Sequence, residues 1–515
     1  MSTETMNGDE ITEALVANIL NTRYEDIDQE TVDNTKRRIL DMIGDAIAGA
    51  KADGSPELAE LVKDWGGKKE ATILGFGTKG PAHQVAFVNC IFGRTFDRGP
   101  LTYVIDGKRS PNHITETSAL TALALGENKG IDGKELITAM VVGDDLAARL
   151  HIANDRAQPG QTLPPGTPPP PVARGSEEAF AAAAVTGRIL GLNSTQMRDA
   201  FGIATMLSGR GGGATLGGPA SPGGAGGRRG GSTAPVASPG WLGVKDPSFI
   251  ASMARGGYNE SISTKMGNGI SARDGINAAQ LAEAGWPGVE DPFFGERGGH
   301  FPGFASVHHP GRIIGDLGKK YHVEVCFKPY PGGRPTGAPT GAALAMVEKN
   351  DINTDDIEEI VLHLSPVATA AHYAKPYLIG RYPTMNALWS YYFVVASALY
   401  RKSATAENFT EAKIRDPKLQ TLIGKVKLAH LDKSEGIELE VIMKDGRRFS
   451  EFLITALGNP ANPLSRDGLI AKFKEQVEFS QLVDKKAMEE LIGLLERLEE
   501  VDNVNEITKR AGKQD

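Results

Sequence analysis

A mainly α fold, in which a discontinuous helical domain carries a smaller inserted α+β domain, follows from three observations. Apolar residues recur at helical spacing through the first half of the chain. After Cys326 the pattern switches to short alternating runs that read as strands. Beyond residue 458 helical spacing returns. Residues 459–515 are therefore expected to rejoin the helical domain of 1–325, with 326–458 as the insertion. At 515 residues the chain exceeds one ordinary core, which also predicts two domains.

Taken in order, Ile39, Met42, Ile43, Ala46 and Ile47 place one apolar face on a helix over 31–50. Leu136, Ile137, Met140 and Val141 do the same over 132–150. An alanine-rich helix is expected at 176–190, and another at 194–207 after Asn193, a side chain suited to an N-cap. Ala and Gly stand where these helices would touch, so close packing is expected. Two stretches interrupt them. The proline-rich 158–174 and the Gly/Pro/Ser/Ala tract 209–240 offer too little apolar surface to offset chain entropy, and both read as loops. Residues 357–365, 425–431 and 436–443 read as strands, the last pairing with 447–455 across Lys444-Asp445-Gly446. Helices are expected among them at 337–349 and 386–400. Met488, Leu491, Ile492, Leu495 and Leu498 form the apolar stripe of a C-terminal helix.

Composition excludes several classes of function. A net charge of -8, with no Lys/Arg stripe interleaved with aromatics, argues against a nucleic-acid partner. No apolar run approaches the roughly 18 residues of a membrane helix, so no membrane partner is expected. The opening MSTETMNGDE is polar and acidic, unlike a leader peptide. Cys90 and Cys326 stand far apart, which predicts no disulfide framework and a reducing, cytoplasmic compartment. Two cysteines cannot supply the thiolates of an iron–sulfur cluster. The adjacent His308 and His309 diverge, and no H-x-x-x-H, C-x-x-C or calcium-loop spacing occurs, so no metal is expected. Gly75–Gly80 matches G-x-G-x-x-G, but 93–103 reads as a loop where a Rossmann unit needs a second parallel strand. A turn before a helix is the expectation there. No G-x-S-x-G elbow anchors a hydrolase triad.

Four blocks carry the chemistry: 89–97 (NCIFGRTFD), 111–125 (PNHITETSALTALAL), 265–275 (KMGNGISARDG) and 327–346 (FKPYPGGRPTGAPTGAALAM). They set Asp97, His113, Lys265, and Lys328 with Arg334 at the edges of small-residue helices. One acid, one histidine and several fixed cations are what proton transfer on a polycarboxylate needs. His113 falls at a helix start, where the macrodipole lowers an imidazole pKa and favours an anion nearby. Taken alone it reads equally as a capping or core histidine. Asp97 between Arg94 and Arg98 reads alone as a surface ion pair, and Lys265 as a solvated charge that Asn268 is placed to orient. Tyr391 and Tyr392 read alone as core aromatics.

In order and spacing these blocks resemble the MmgE/PrpD family of dehydratases, decarboxylases and epimerases of small carboxylates. The resemblance covers 31–207 and 263–473. It implies a large helical domain made from both termini, a smaller α+β lid domain, and a homodimer. The block around His113 corresponds to the family's His-Pro-Ser stretch, with the order Pro-Asn-His here, which implies a catalytic histidine. Residues 95–99 correspond to Asp-Phe-Asp-Asp-Thr. Thr95 stands at the first aspartate, Phe96 and Asp97 match, and Arg98 and Gly99 replace Asp and Thr, which implies Asp97 in the pocket with Arg94 beside it. Lys265 matches a lysine before a small-residue helix. Lys328-Pro329-Tyr330-Pro331 matches Lys-Pro-Tyr-Pro, Arg334 follows at the family's spacing, and Thr336-Gly337 replaces a later Thr-His. Residues 386–400 resemble the helix that contributes an active-site tyrosine, here Tyr391 or Tyr392.

The resemblance thus implies a cofactor-independent lyase of dehydratase type whose partner is a small anionic di- or tricarboxylate. Lys265, Lys328 and Arg334 would clamp carboxylates, with Arg94 and Asn268 assisting. His113, whose ordinary pKa lies nearest neutrality, would carry the proton. Decarboxylation or epimerisation is the alternative chemistry. A catalytically silent paralogue binding a ligand or partner is the alternative class.

Overall fold

The computed structural model describes residues 6–105, 108–153, 176–208, 265–296, 299–304, 309–365, 368, 372–433 and 435–513. The loops expected at 158–174 and 209–240 lie outside the described residues, as does His308.

Small side chains at helix contacts shape the first half, which is mainly helical as expected. Its helices are α1 (Gly8–Asn21), α2 (Gln29–Gly49), α3 (Ser55–Trp65), α4 (Ala82–Arg94), α5 (Ile114–Lys129), α6 (Gly133–Ala153), α7 (Ser176–Leu190), α8 (Ser194–Ser208) and α9 (Met266–Glu283). The cap of α8 is as expected, with the Gln196 N–H donating to the Asn193 side chain at 2.9 Å. Helix α9 lies against both α4 and α7. A Cβ on Gly269 would stand 2.5 Å from the Phe87 carbonyl oxygen, and one on Gly275 would stand 2.5 Å from the Ala182 Cβ. Helix α2 approaches α4 more closely still, for a Cβ on Gly49 would stand 1.9 Å from the Phe92 carbonyl oxygen.

Short strands interrupt this helical region. Ala71–Thr72 (β1) and Lys79–Gly80 (β2) form an antiparallel hairpin, with Gly75 and Gly77 at positive φ in its turn. The glycine motif is therefore a turn ahead of α4, and among the described residues β1 pairs only with the antiparallel β2. The loop expected over 93–103 is corrected in its second half. Leu101–Ile105 (β3) pairs antiparallel with Lys108–Asn112 (β4) and with Val325–Cys326 (β5). The pairing with β4 is local, and Asp106-Gly107 between the two strands is a hairpin signal in the sequence; only the pairing with β5 leaves no local signal. Strand β4 runs directly into His113, the N-cap of α5, so this hairpin sets where the histidine lies relative to Asp97.

The segment after β5 contains α10 (Gly337–Lys349), β6 (Ile357–Leu364), α11 (Tyr391–Arg401), α12 (Pro417–Ile423), β7 (Val426–His430), β8 (Ile437–Met443) and β9 (Arg448–Leu453). All four expected strands form one sheet in the order β7-β6-β8-β9. Strands β6 and β7 are parallel, and β8 and β9 are the expected hairpin. The single helix expected over 386–400 is broken. Pro383–Leu388 ends at Trp389, and Ser390 starts α11 afresh by accepting from the Phe393 N–H at 3.2 Å. That break turns out to position Trp389.

Helices α13 (Arg466–Ser480), α14 (Lys485–Glu496) and α15 (Asn505–Arg510) complete the described chain. Phe473, Val477, Leu491 and Leu495 share one buried apolar cluster with Ile39, Met42, Val88 and Phe92. A second cluster gathers Ile360, Leu362, Leu399, Leu439 and Val441 and reaches across to Ala48, Ala52 and Phe96. Phe96, one residue before Asp97, therefore sits where the two clusters meet. Cys90 and Cys326 are buried and unpaired. Among the described residues no helix is long and apolar enough to cross a membrane.

Gly49→Ala is expected to destabilise by about 3 kcal/mol, because the added methyl meets backbone that cannot move aside. Gly493→Ala, on α14 with open space around it, is expected to stabilise by about 0.5–1 kcal/mol. Urea unfolding of both variants checks the pair. Equal effects would contradict the close α2–α4 approach.

Candidate active site

Helix α4 ends at Arg94, and the chain turns back at Asp97 with φ of 49°, a region that residues with a Cβ rarely enter. The carboxylate of that turn gathers the site. Its Oδ1 accepts from Arg94 Nη1 at 2.8 Å and from Lys328 Nζ at 2.8 Å. Its Oδ2 accepts from Trp389 Nε1 at 2.9 Å and lies 3.2 Å from Lys265 Nζ. Lys328 Nζ also donates to the Asp97 carbonyl oxygen. Burial by itself would raise this carboxyl's pKa, but Lys265, Lys328 and Arg94 hold it well below the usual carboxylate range. A carboxylate held ionised among so many donors is a poor base. Asp97 acts as a counter-ion.

Lys265 opens α9 and is fully buried, its ammonium 5.0 Å from the centroid of the Trp389 ring. Burial pushes its pKa down to about 7; Asp97 opposes this, while Arg94 and Lys328 add to it. His113 Nδ1 lies 2.7 Å from Glu116 Oε1. Arg94 Nη1, which can only donate, lies 3.0 Å from the same nitrogen, but the guanidinium also has Asp97 and Glu116 as acceptors. We assign the ring proton to Nδ1, facing the closer Glu116 carboxylate, which leaves the lone pair on Nε2. Burial and the Arg94 guanidinium push the imidazole down to about 4, although Glu116 works the other way. With its pKa at about 4 the histidine is neutral at pH 7, and of the two it is Lys265 that lies near neutrality, where the sequence points to the histidine. Arg94 Nη1 links the two halves of the site, lying 2.8 Å from Asp97 Oδ1 and 3.3 Å from Glu116 Oε1.

The remaining expected residues sort by geometry. Asn268 is on α9 as expected, but its amide donates to the His113 carbonyl at 2.9 Å and to Thr117 Oγ1 at 3.1 Å. It braces the histidine's backbone. Thr95 donates to the Ile91 carbonyl at 3.0 Å, so its hydroxyl caps its own helix. Tyr391 is buried with its ring 5.8 Å from that of Tyr373, and the charge of Arg334 acts on both phenols. Burial pushes both phenols upward, so each stays protonated and can donate. Tyr392 instead packs at the edge of the second apolar cluster.

Three residues here escaped the sequence reading. Glu116 is fully buried, and its only signal is the three-residue spacing from His113 on a helix of small residues. Trp389 is signalled only by the serine cap that follows it. Tyr373 lies on a 3₁₀ turn, where a Cβ on Gly333 would come within 2.1 Å of its hydroxyl. Among the described residues no group of three or more His, Cys, Asp or Glu is arranged to hold a metal ion. A neutral imidazole, an ammonium that titrates near neutrality and several fixed cations can move a proton and stabilise an oxyanion.

The chain is similar to known proteins along most of its length. Residues 13–249 match the MmgE/PrpD N-terminal domain, and residues 330–497 match the MmgE/PrpD C-terminal domain. Similar curated proteins include cis-aconitate decarboxylase of Mus musculus, 23% identical over 520 residues that cover 97% of this chain and 93% of that protein. Cis-aconitate decarboxylase of Homo sapiens is 24% identical over 522 residues, covering 97% and 94%.

Asp97→Asn removes the charge that compensates three buried cations and is expected to destabilise by about 3–5 kcal/mol at pH 7. Because the folded pKa of Asp97 is depressed, its contribution is complete above the ordinary carboxylate value and is lost as pH falls through the folded one. Urea midpoints at pH 7 that coincide for the two proteins would refute the counter-ion role.

Proposed function

Because the chain belongs to the MmgE/PrpD family, we propose that it is a lyase that moves a proton on a carbon beside a carboxylate of a small di- or tricarboxylate. The observation that carries this reading is the joining, through Arg94, of the His113–Glu116 pair to the Asp97–Lys265–Lys328 cluster. The relatives named cis-aconitate decarboxylase, aligned over nearly the whole chain, favour decarboxylation over dehydration.

In decarboxylation the bond between carbon and the departing carboxylate breaks, carbon dioxide leaves, and the electron pair remains as an enediolate conjugated with a second carboxylate. Four cations, Arg94, Lys265, Lys328 and Arg334, against the two carboxylates of Asp97 and Glu116 leave the pocket an excess of positive charge that stabilises this anion. The Lys265 ammonium then delivers a proton to carbon, and neutral His113 relays the proton that restores the ammonium. Dehydration uses the same groups in tandem: His113 Nε2 takes the proton beside the carboxylate, and Lys265 protonates the departing hydroxyl. Tyr373 and Tyr391, protonated beside Arg334, orient a substrate carboxylate. The scheme needs no metal or organic cofactor. We read 326–458 as a lid over this site, which is supported by the meeting of the two apolar clusters at Phe96. A reducing, cytoplasmic setting suits the two unpaired cysteines.

The test is NMR in D₂O with cis-aconitate, citrate and malate, in the presence of a chelator. Deuterium incorporation or product is expected with one of them, and His113→Ala should lower the rate by about 10²–10⁴-fold. The histidine must be neutral and the lysine charged, so kcat/KM should rise through about pH 4 and fall through about pH 7. A rate untouched by His113→Ala, or still climbing above pH 8, would refute these roles. A complete absence of exchange with every acid would favour the silent-paralogue reading instead.

Family membership also leads us to propose a homodimer. Light scattering at micromolar concentration should return about twice 54.7 kDa, and a mass near 54.7 kDa would contradict it.

A further inference from the structure

Arg98 is a buried cation that the chemistry above does not use. It follows the left-handed Asp97 directly and is 4% exposed. Its guanidinium turns away from the Asp97 carboxylate. Nε donates to the Pro329 carbonyl at 2.9 Å, Nη2 donates to the same oxygen, and Nη1 pairs with Glu475 on α13. The other oxygen of Glu475 accepts from the Ala406 N–H at 3.2 Å. Pro329 is the residue after Lys328. One side chain therefore ties the residue after the counter-ion to the residue after one of its cations.

A second buried cation grips the same turn. Lys472 Nζ, also on α13, donates to the Arg98 carbonyl at 2.9 Å and lies 2.6 Å from Asp41 Oδ1 on α2. Lys328 Nζ already holds the Asp97 carbonyl. Consecutive carbonyls, those of Asp97 and Arg98, are thus each held by a buried ammonium.

We propose that Arg98, braced by Glu475 and Lys472 of α13, is a positioning residue that holds the Asp97 carboxylate against Lys265, Lys328 and Trp389. The reason is mechanical. A left-handed backbone is unfavourable for a residue with a Cβ, if less so for aspartate than for most, so contacts around the turn help to hold it. Here the fork on the Pro329 carbonyl and the two held carbonyls supply those contacts. Without Arg98 the turn relaxes toward the right-handed region and carries Asp97 Oδ2 away from the indole N–H and from Lys265 Nζ. The effect on rate rests on the function proposed above, but the effect on the position of Asp97 does not.

The Trp389 indole reads that position directly, because its Nε1–H donates to Asp97 Oδ2. In protein labelled with ¹⁵N-tryptophan, the indole signal of Trp389 is assigned by its loss in Trp389→Phe. It is expected downfield and slow to exchange in the wild type, as a bond to a carboxylate requires. In Arg98→Ala it should move upfield and exchange at least about 10-fold faster, while the other indole signals stay in place. Turnover should fall about 10²-fold, with partial recovery on adding millimolar guanidinium. If Arg98→Ala fails to fold, Arg98→Lys, which keeps the charge but loses the fork, should show the same shift in smaller measure. A folded Arg98→Ala or Arg98→Lys whose Trp389 indole keeps its wild-type shift and exchange rate overturns the proposal. A shifted indole in a protein that turns over no carboxylate would uphold the positioning role and sink the lyase reading alone.

Discussion

A single buried carboxylate, that of Asp97, is what allows three cations to share one small volume. Arg94 ends α4, Lys265 begins α9, Lys328 follows β5, and Trp389 sits at the break before α11. Nothing in the local structure of these four segments requires them to meet. An unpaired buried ammonium or guanidinium is unfavourable by several kcal/mol even after relaxation. Asp97 offsets that for three of them at once, and the indole N–H takes the carboxylate's remaining lone pair. The left-handed backbone at Asp97 is the local strain that this arrangement sustains.

The same burial divides the chemical labour. It lowers the pKa of both basic groups, but from different starting points. His113 begins near neutrality and is carried down to about 4, out of the range where it changes charge in a cell. Lys265 begins far above and is carried down to about 7, into that range. The histidine stays neutral with its ring oriented by Glu116, and the lysine is the one of the two whose charge changes near neutrality, which is the division that the proposed proton transfer uses. A more exposed version of this pocket would reverse the assignment.

Period-two and period-3.6 patterning made the sheet of β6–β9 and the long helices legible, because their signals lie within a few residues. Strand β3 was legible but missed, since Asp106-Gly107 after Thr102–Ile105 is a short hairpin signal; only its pairing with β5, far along the chain, leaves no local trace. The break at Trp389 was hidden inside an apolar run, where only a serine distinguishes a new cap from a continuing helix. The four charged blocks do meet in space, and their small-residue helices explain how. The detail of who binds whom lies below what spacing can tell. Asp97 does pair with Arg94, as a bare ion-pair reading has it, but in the interior. Asn268 reaches the right neighbourhood and grips the His113 carbonyl where it was expected to serve Lys265. Glu116 reads as an ordinary solvated helix position until its environment is seen.

A ¹³C NMR titration of lysine side chains in the wild type, with Lys265→Arg for assignment, tests the central electrostatic claim most directly. One lysine signal is expected to titrate near pH 7, to vanish in Lys265→Arg, and to move to lower pH in Asp97→Asn as the counter-ion is lost. If the Lys265 signal instead titrates with the surface lysines near pH 10.4, its ammonium is not held in the buried, cation-crowded setting described here, and it cannot be the neutral-pH acid.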